Sequence, residues 1–241
     1  MEYFLGIDIG TYESKGVLTD KEGDVIASAT HPHKMLVPEP GWAEHRPEKD
    51  WWNDFVKITK KILIASKINP DDISCIATSA IGPCMLPVSY EGDPLMNAVL
   101  YGVDTRAEKE IRELNEELGE EKILQNCGNA LTSQSVGPKI LWLKKNCPEI
   151  YKKAHKILSS TSYLVQKLTG ESVIDHYTAA NFTPLYDIKN LKWTDALTKN
   201  IIEIERLPKL KWTTEIAGYV SKAASKETGL ATGTPVTVGT I

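Results

Sequence analysis

Apolar positions follow two periods along the chain, and the change of period separates predicted strands from predicted helices. Tyr3–Ile9 is a short apolar run bounded by Gly10, which predicts a buried strand. Residues 15–19 and 25–30 predict two more strands, joined by a hairpin turn at residues 21–24. The chain therefore begins with three antiparallel strands.

Helical spacing first occurs after Pro47, a residue suited to the first turn of a helix. Apolar or small side chains recur there at Trp52, Phe55, Thr59 and Ile62, which predicts one buried helix face. Further strands are expected at 73–78, 84–88, 95–101, 217–220 and 235–240, and further helices at 107–118, after 137, after 148, 161–168 and 221–228. This alternation predicts an α/β domain with a mixed central sheet and helices packed on both faces.

The first strand and the turn after it carry the candidate chemistry. Asp8 lies inside an apolar strand, where burial is costly unless a partner such as a metal ion binds it. Gly10 permits close approach of a ligand, Thr11 adds a hydroxyl and an amide, and Lys15 adds a positive charge. These are the groups that phosphoryl transfer requires. The alternative interpretation of this stretch is an ordinary hairpin whose aspartate has no function. The stretch lacks the glycine and lysine spacing of a P-loop.

Bulk composition excludes several classes of partner. The 241 residues have a net charge of −4 and no basic block, which argues against nucleic-acid binding. No apolar run is long enough to span a membrane, and no signal peptide is recognisable. The four cysteines have no zinc-like spacing and are typical of reduced thiols, so a cytoplasmic location is expected.

Several conspicuous side chains have a structural interpretation. Trp42 and Glu44 are interpreted as a loop anchor and a cap for the helix that begins at Pro47. Asp104 and Arg106 form an ion pair in one interpretation and line a substrate cleft in the other. Trp142, Trp193 and Trp212 are expected to pack in the core or at an interface, and stacking on a sugar face is the alternative. His45, His155 and His176 are expected to lie at the surface or to cap helices.

Five separated stretches together resemble one protein family. They are GIDIGT at 6–11, PGWAEHRPEKDWW at 40–52, YGVDTRA at 101–107, the segment 137–171 that begins GPKILW, and the segment 218–239 that begins GYVSKAA. In this order they resemble the FGGY carbohydrate kinases, the relatives of xylulokinase and glycerol kinase. The resemblance implies a ribonuclease H-like lobe of the actin-like ATPase superfamily, which uses ATP and Mg²⁺ to phosphorylate a sugar or polyol hydroxyl.

The resemblance also implies roles for residues near the first strand. Asp8 matches the aspartate linked to Mg²⁺, Gly10 and Thr11 match the phosphate turn, and Lys15 matches the basic residue that follows it. Acetate kinases and heat-shock-type ATPases share such a turn, but the paired tryptophans and the GPKILW segment argue against them.

On the substrate side, Asp104 and Arg106 match the acid and arginine beside the sugar cleft, and Asp175 is a weaker candidate. Ala80 and Ile81 occupy positions where relatives carry polar sugar-binding residues. An apolar pair cannot hydrogen-bond a hydroxyl, so poor use of xylulose and glycerol is expected.

The same resemblance implies that residues 1–241 form the first lobe only. The family's general base, an aspartate in a glycine-rich turn, would follow Ile241, and so would the second phosphate loop and the adenine pocket. No catalytic residue is therefore assigned within the chain, and the bare face of an isolated lobe is expected to pair with a copy of itself. A non-catalytic ligand-binding module is the alternative function.

Overall fold

The computed structural model describes residues 2–194, 197 and 200–241. Within them the chain forms fourteen short strands. They are β1 Tyr3–Ile9, β2 Glu13–Asp20, β3 Val25–Pro32, β4 Glu44–His45, β5 Ile73–Ala80, β6 Leu86–Val88, β7 Ala98–Val99, β8 Lys156–Leu158, β9 Val173–Asp175, β10 Tyr186–Asp187, β11 Lys192–Trp193, β12 Lys209–Lys211, β13 Ile216–Tyr219 and β14 Pro235–Thr237.

Eight α-helices are described in the same residues. They are α1 Asn53–Ser66, α2 Glu108–Leu118, α3 Glu120–Cys127, α4 Val136–Asn146, α5 Pro148–Lys153, α6 Ser160–Thr169, α7 His176–Ala180 and α8 Lys222–Thr228. Wider π-helical turns at Pro47–Trp52 lead into α1, so the predicted start at Pro47 is confirmed. Short 3₁₀ turns occupy Pro70–Asp72 and Ile204–Arg206.

Six strands form the central sheet, in the order β13-β14-β5-β1-β2-β3. The pairs β1–β2 and β2–β3 are antiparallel, whereas β5 is parallel to both β1 and β14. The predicted three-stranded opening and the mixed central sheet flanked by helices are confirmed.

One face of this sheet is buried and the other is open. Leu5, Ile7 and Ile9 point toward α1, and a Cβ atom on Gly16 would overlap Ile58 of that helix. Helices α6 and α8 lie on the same side, since Leu164 of α6 and Ala224 of α8 belong to the buried cluster that contains Leu5 and Ile58. The alternate positions are partly exposed, as in Phe4 at 39%. The expectation of helices on both faces was therefore wrong within the described residues.

A second core lies beside the sheet, between α2, α4 and the segment that follows α7. Its buried residues include Met85, Val99, Leu114, Ile140 and Phe182. Four two-stranded ladders join its loops: β4-β7, β6-β8, β9-β12 and β10-β11.

Some strands are shorter than predicted. Of residues 95–101 only Ala98–Val99 pairs as a strand, and of residues 235–240 only Pro235–Thr237 does, with one further bridge from Thr240 to Ser79. In both places single backbone hydrogen bonds take the place of a continuous ladder, such as those from Leu100 to Ala43 and from Val238 to Glu215, each at 3.0 Å. No helix in the described part of the chain is long and apolar enough to cross a membrane.

Candidate functional site

The carboxyl ends of β1, β5 and β14 meet at one edge of the central sheet. Ligands bind at this edge in many open α/β sheets, because loops leave all parallel strands there. The Ile81 amide donates to the Ile9 carbonyl at 2.6 Å, which joins the loops after β1 and β5. A Cβ atom on Gly82 would overlap the Ile241 side chain, so the loop after β5 also touches the end of the described chain.

Asp8 lies on the open face near this edge. It is partly exposed, and its carboxylate makes no hydrogen bond or ion pair with any described residue. It borders a cavity of about 590 Å³, which Ser79, Thr237 and Thr240 also line. No cluster of three metal-binding side chains is present in residues 2–194, 197 and 200–241. A lone free carboxylate suits Mg²⁺, which usually keeps most of its waters and binds one or two carboxylates plus substrate phosphate.

Lys15 pairs with Asp8 across the β1–β2 ladder and faces the same side. Its side chain is 62% exposed, and Nζ lies 3.9 Å from the Glu13 carboxylate. The ammonium group is therefore free to move toward an anion on the open face.

The 10–12 turn joins β1 to β2. The Gly10 amide donates to the Glu13 carbonyl at 3.0 Å, and a Cβ atom on Gly10 would lie 2.8 Å from that oxygen, so glycine is required. Within the described residues the amides of Thr11 and Tyr12 donate to no protein acceptor. The turn therefore offers two free amides to an anion, but the Gly10 amide is already used.

Two histidines lie beneath this turn. His33 Nε2 is 3.0 Å from the Gly10 carbonyl, and His45 Nε2 is 3.0 Å from the Thr11 carbonyl. His45 is fully buried, so its interpretation as a surface or capping residue was wrong. Burial, followed by the charge of nearby His33, lowers the pKa of His45 to about 4. Burial opposes charging of His33, but its hydrogen bond to Asp54 and the Asp54 charge outweigh burial and raise the His33 pKa.

Tyr101 joins the turn to the segment with the predicted substrate residues. Its phenol oxygen lies 3.3 Å from Thr11 Oγ1. Lys139 fixes the backbone at this point by donating to the Leu100 and Tyr101 carbonyls at 2.5 and 2.9 Å. Burial lowers the pKa of Lys139 to about 8.

Asp104 and Arg106 form a buried ion pair. The Arg106 guanidinium donates to Asp104 at 2.8 Å and to Glu44 at 2.9 Å, and its side chain is 1% exposed. It lies over the Trp42 ring at 3.9 Å and is 5.0 Å from the Trp142 ring, and these two indoles pack edge to face. The geometry supports the ion-pair interpretation. Glu44 belongs to this network and does not cap the helix after Pro47, whose N-cap has no side-chain hydrogen bond.

The other predicted substrate residues are also buried at this edge. The Asp175 carboxylate caps α7 by accepting from the Tyr177 and Thr178 amides at 3.0 Å, and it also lies 3.3 Å from Thr240 Oγ1. Ala80 and Ile81 are 3% and 8% exposed and belong to the main core. A substrate contact by any of these three residues stays a prediction.

The remaining aromatic and imidazole groups lie in several parts of the lobe. Trp142 is buried in the second core. His155 is exposed, and its ring packs on Tyr90. His176 bonds the Tyr186 hydroxyl at 2.7 Å and packs on Trp212, which is 55% exposed.

Comparison with known proteins identifies the family. The sequence model of the N-terminal domain of the FGGY family of carbohydrate kinases matches residues 3–241. This chain belongs to the FGGY family. The glycerol kinase of Thermococcus gammatolerans is 32% identical over 226 residues, which cover 91% of this chain and 45% of that protein. The xylulose kinase of Staphylococcus xylosus is 28% identical and is matched over 47% of its length.

Solved structures agree with the FGGY assignment. The xylulose kinase of Rhodospirillum rubrum superimposes with a TM-score of 0.92 at 27% identity, over 100% of this chain and 49% of that chain. The glycerol kinase of Plasmodium falciparum with ADP gives a TM-score of 0.87 at 26% identity, over 100% of this chain and 48% of that chain. The FGGY chain described here thus spans about half the length of the relatives it matches.

Sequence reasoning missed the residues that support the turn of this FGGY lobe. His33, Asp54 and Lys139 were not singled out, and Tyr101 appeared only as the first residue of the family-like stretch YGVDTRA. His45 lies inside a family-like motif, PGWAEHRPEKDWW, and that position was a signal of a role near the site.

Proposed function

We propose that this lobe is the substrate- and phosphate-binding half of an ATP-dependent kinase that phosphorylates a sugar or polyol hydroxyl. The observation that carries the proposal is the 3.3 Å contact between Thr11 Oγ1 and the Tyr101 phenol. This contact supports the proposal because the turn, with its two free amides, lies beside the segment that contains Asp104 and Arg106, the proposed substrate side. Phosphoryl transfer depends mainly on such positioning and on charge stabilisation.

ATP is the proposed phosphate donor, supported by membership of the family and by the ADP in the Plasmodium falciparum relative. The Thr11 and Tyr12 amides would bind phosphate oxygens, and Lys15 would add a mobile positive charge. Asp8 would hold Mg²⁺, directly or through water, because its carboxylate is free and partly exposed. The metal would offset the negative charge of the phosphates.

The substrate is proposed to be a small hydroxylated compound other than glycerol or xylulose. Ala80 and Ile81 present no side-chain hydrogen-bond donor or acceptor where such compounds need one. Asp104, Arg106 and Asp175 are proposed to shape the substrate side of the cleft. The buried partners of Asp104 and Arg106 indicate that both act mainly by holding the loop.

In this proposal the base that activates the hydroxyl belongs to a second lobe, which would follow residue 241. Residues 1–241 alone would then fold and bind phosphate weakly without turnover. The rival function, a ligand-binding module without catalysis, is favoured by the apolar Ala80–Ile81 pair. It is disfavoured by the free Asp8 carboxylate, which such a module has no reason to keep.

Two further expectations accompany the proposal. A cytoplasmic location is supported by the four free cysteines, Cys75, Cys84, Cys127 and Cys147. Self-association of residues 1–241 is supported by the open sheet face, where Ile26 and Ile216 are 41% and 39% exposed.

The test is an ADP-release assay with a broad panel of sugars and polyols. It uses the protein encoded by the whole gene, with residues 1–241 assayed in parallel. The proposal predicts turnover that requires both Mg²⁺-ATP and one class of polyol, and none from residues 1–241 alone. Polyol binding by calorimetry without ADP release from the whole protein would support the binding module instead.

A further inference from the structure

The three carbonyl groups of the 10–12 turn all accept hydrogen bonds from two histidines. His33 Nε2 binds the Gly10 carbonyl at 3.0 Å, and His45 Nε2 binds the Thr11 carbonyl at 3.0 Å. The backbone amide of His33 donates to the Tyr12 carbonyl at 2.9 Å. The whole turn is therefore held from its inner side.

This arrangement fixes where the amides of the turn point. In a planar trans peptide the carbonyl of one residue and the amide of the next point in opposite directions. Inward carbonyls at Gly10 and Thr11 therefore direct the amides of Thr11 and Tyr12 outward. These are the two amides of the turn that donate to no acceptor in the described part of the chain.

The protonation of both rings follows from their partners. His33 Nδ1 lies 2.9 Å from the Asp54 carboxylate, and Nε2 faces a carbonyl, so both nitrogens must donate and the ring is an imidazolium. His45 Nδ1 accepts from the Trp51 indole at 2.9 Å, and an indole can only donate. His45 is therefore neutral, with its proton on Nε2 facing Thr11.

The anchors of these rings lie at the start of the first helix. Asp54 is in the first turn of α1, its side chain is 2% exposed, and it also accepts from Ser14 at 2.9 Å. Trp51 is fully buried in the preceding π-helical turns. The turn is thus tied to the helix that packs on the buried face of the sheet.

We infer that His33 and His45 are positioning residues that hold the outward amides of Thr11 and Tyr12 in place for the phosphates of the nucleotide. The inference rests on the proposed kinase function for its ligand. Its geometric basis is the set of three carbonyl contacts and the two free amides. Neither ring touches the phosphate, so each acts through the turn.

The test compares variants that lose the Nε2 donor with variants that keep it. His45→Phe removes the donor and keeps a ring, whereas His45→Gln places an amide NH₂ near the same position. His155→Phe is the matched control, because His155 is an exposed histidine whose ring packs on Tyr90 and not on the turn.

Kinetics of the whole protein should distinguish a specific effect on the turn from a general loss of structure. We expect the KM for ATP to rise about tenfold in His45→Phe, the effect of one lost net hydrogen bond at the turn. The KM for the polyol should stay within about twofold, and His45→Gln should recover most of the ATP effect. Equal rises in both KM values, or no recovery in His45→Gln, would overturn the inference.

A second measurement does not depend on catalysis. Amide NMR spectra of the folded chain are recorded while Mg²⁺ and inorganic tripolyphosphate are added. The Thr11 and Tyr12 signals should shift at the same tripolyphosphate concentration in the wild type, in His45→Gln and in His155→Phe, and a folded His45→Phe or His33→Leu should need about tenfold more. Unchanged signals in the wild type, or equal shifts in all variants, would overturn the positioning role. Absence of polyol phosphorylation would instead count against the proposed function alone.

Discussion

The side-chain oxygens of Thr11 and Tyr101 lie 3.3 Å apart, although 90 residues separate them in the sequence. Thr11 belongs to the 10–12 turn, and Tyr101 precedes the loop that Arg106 and Asp104 hold. The contact thus couples the proposed phosphate side of the site to its proposed substrate side. A substitution at Tyr101 should therefore affect the binding of both ATP and the polyol.

Tyr101→Phe should therefore weaken the use of ATP and of the polyol together. We expect each KM to rise about threefold, in keeping with the loss of one partly exposed hydrogen bond. Steady-state kinetics of the whole protein measures both values. Tyr90→Phe is the control, because Tyr90 is 79% exposed and lies elsewhere. Unchanged KM values in Tyr101→Phe would mean that the contact contributes to the use of neither ATP nor the polyol.

Arg106→Met should mainly destabilise the fold. The variant leaves the buried Asp104 carboxylate without its cation, and such a loss typically costs about 3 to 5 kcal/mol of unfolding free energy. Urea unfolding measures the change. Lys152→Met should have no measurable effect, since the Lys152–Glu149 pair is 71% and 76% exposed. Unchanged stability in Arg106→Met with a raised polyol KM would identify Arg106 as a substrate contact.

Stability should fall in mild acid because of His45. Its pKa is about 4 in the folded chain against an ordinary value of 6.5, so the unfolded chain takes up this proton first. Between those pH values the unfolded state binds more protons, and the free energy of unfolding falls as pH falls. His33 has a raised pKa, so its effect on the pH dependence of stability is opposite to that of His45. It is present in both the wild type and His45→Gln.

The His45 contribution is isolated by comparison with His45→Gln. Between pH 7 and pH 5 the wild type should lose about 2 kcal/mol more unfolding free energy than the variant. Urea unfolding at each pH provides the measurement. Parallel pH profiles for the two proteins would contradict a depressed His45 pKa.

Ile81→Gln should change the choice of polyol more than the use of ATP. A polar group that bonds a hydroxyl rejects compounds that lack it, so the ratio of kcat/KM between two polyols should change about tenfold or more. The KM for ATP should stay within about twofold. Ile64→Gln is the control, since Ile64 is 76% exposed. If glycerol or xylulose is clearly the best substrate of the unmodified protein, the basis of this prediction fails.

Local patterns predicted the opening of the fold well. The apolar run of β1, the hairpin after β2 and Pro47 at the start of the first helix are local signals, and each element is confirmed. The open sheet face was not predicted, because an apolar run does not say whether one face of the strand or both faces are covered.

The site residues show the same limit. Asp8 and Gly10 were found because an acid and a glycine interrupt an apolar run. His45 was misjudged because its burial depends on the Thr11 carbonyl and on Trp51, and no local pattern places a histidine beneath a turn 34 residues away. Lys139 was missed for the same reason, since it bonds carbonyls nearly 40 residues earlier.

The central claim is that Asp8 serves Mg²⁺-dependent phosphoryl transfer. Asp8→Asn keeps the size and burial of the side chain but removes the charge that would hold the metal. The measurement is the turnover of ATP and polyol by the whole protein at saturating Mg²⁺-ATP, with Asp24→Asn, an exposed turn residue, as the control. We predict a fold of wild-type stability and a turnover lower by at least about a hundredfold for Asp8→Asn. Turnover near the wild-type value in a folded Asp8→Asn would contradict the account.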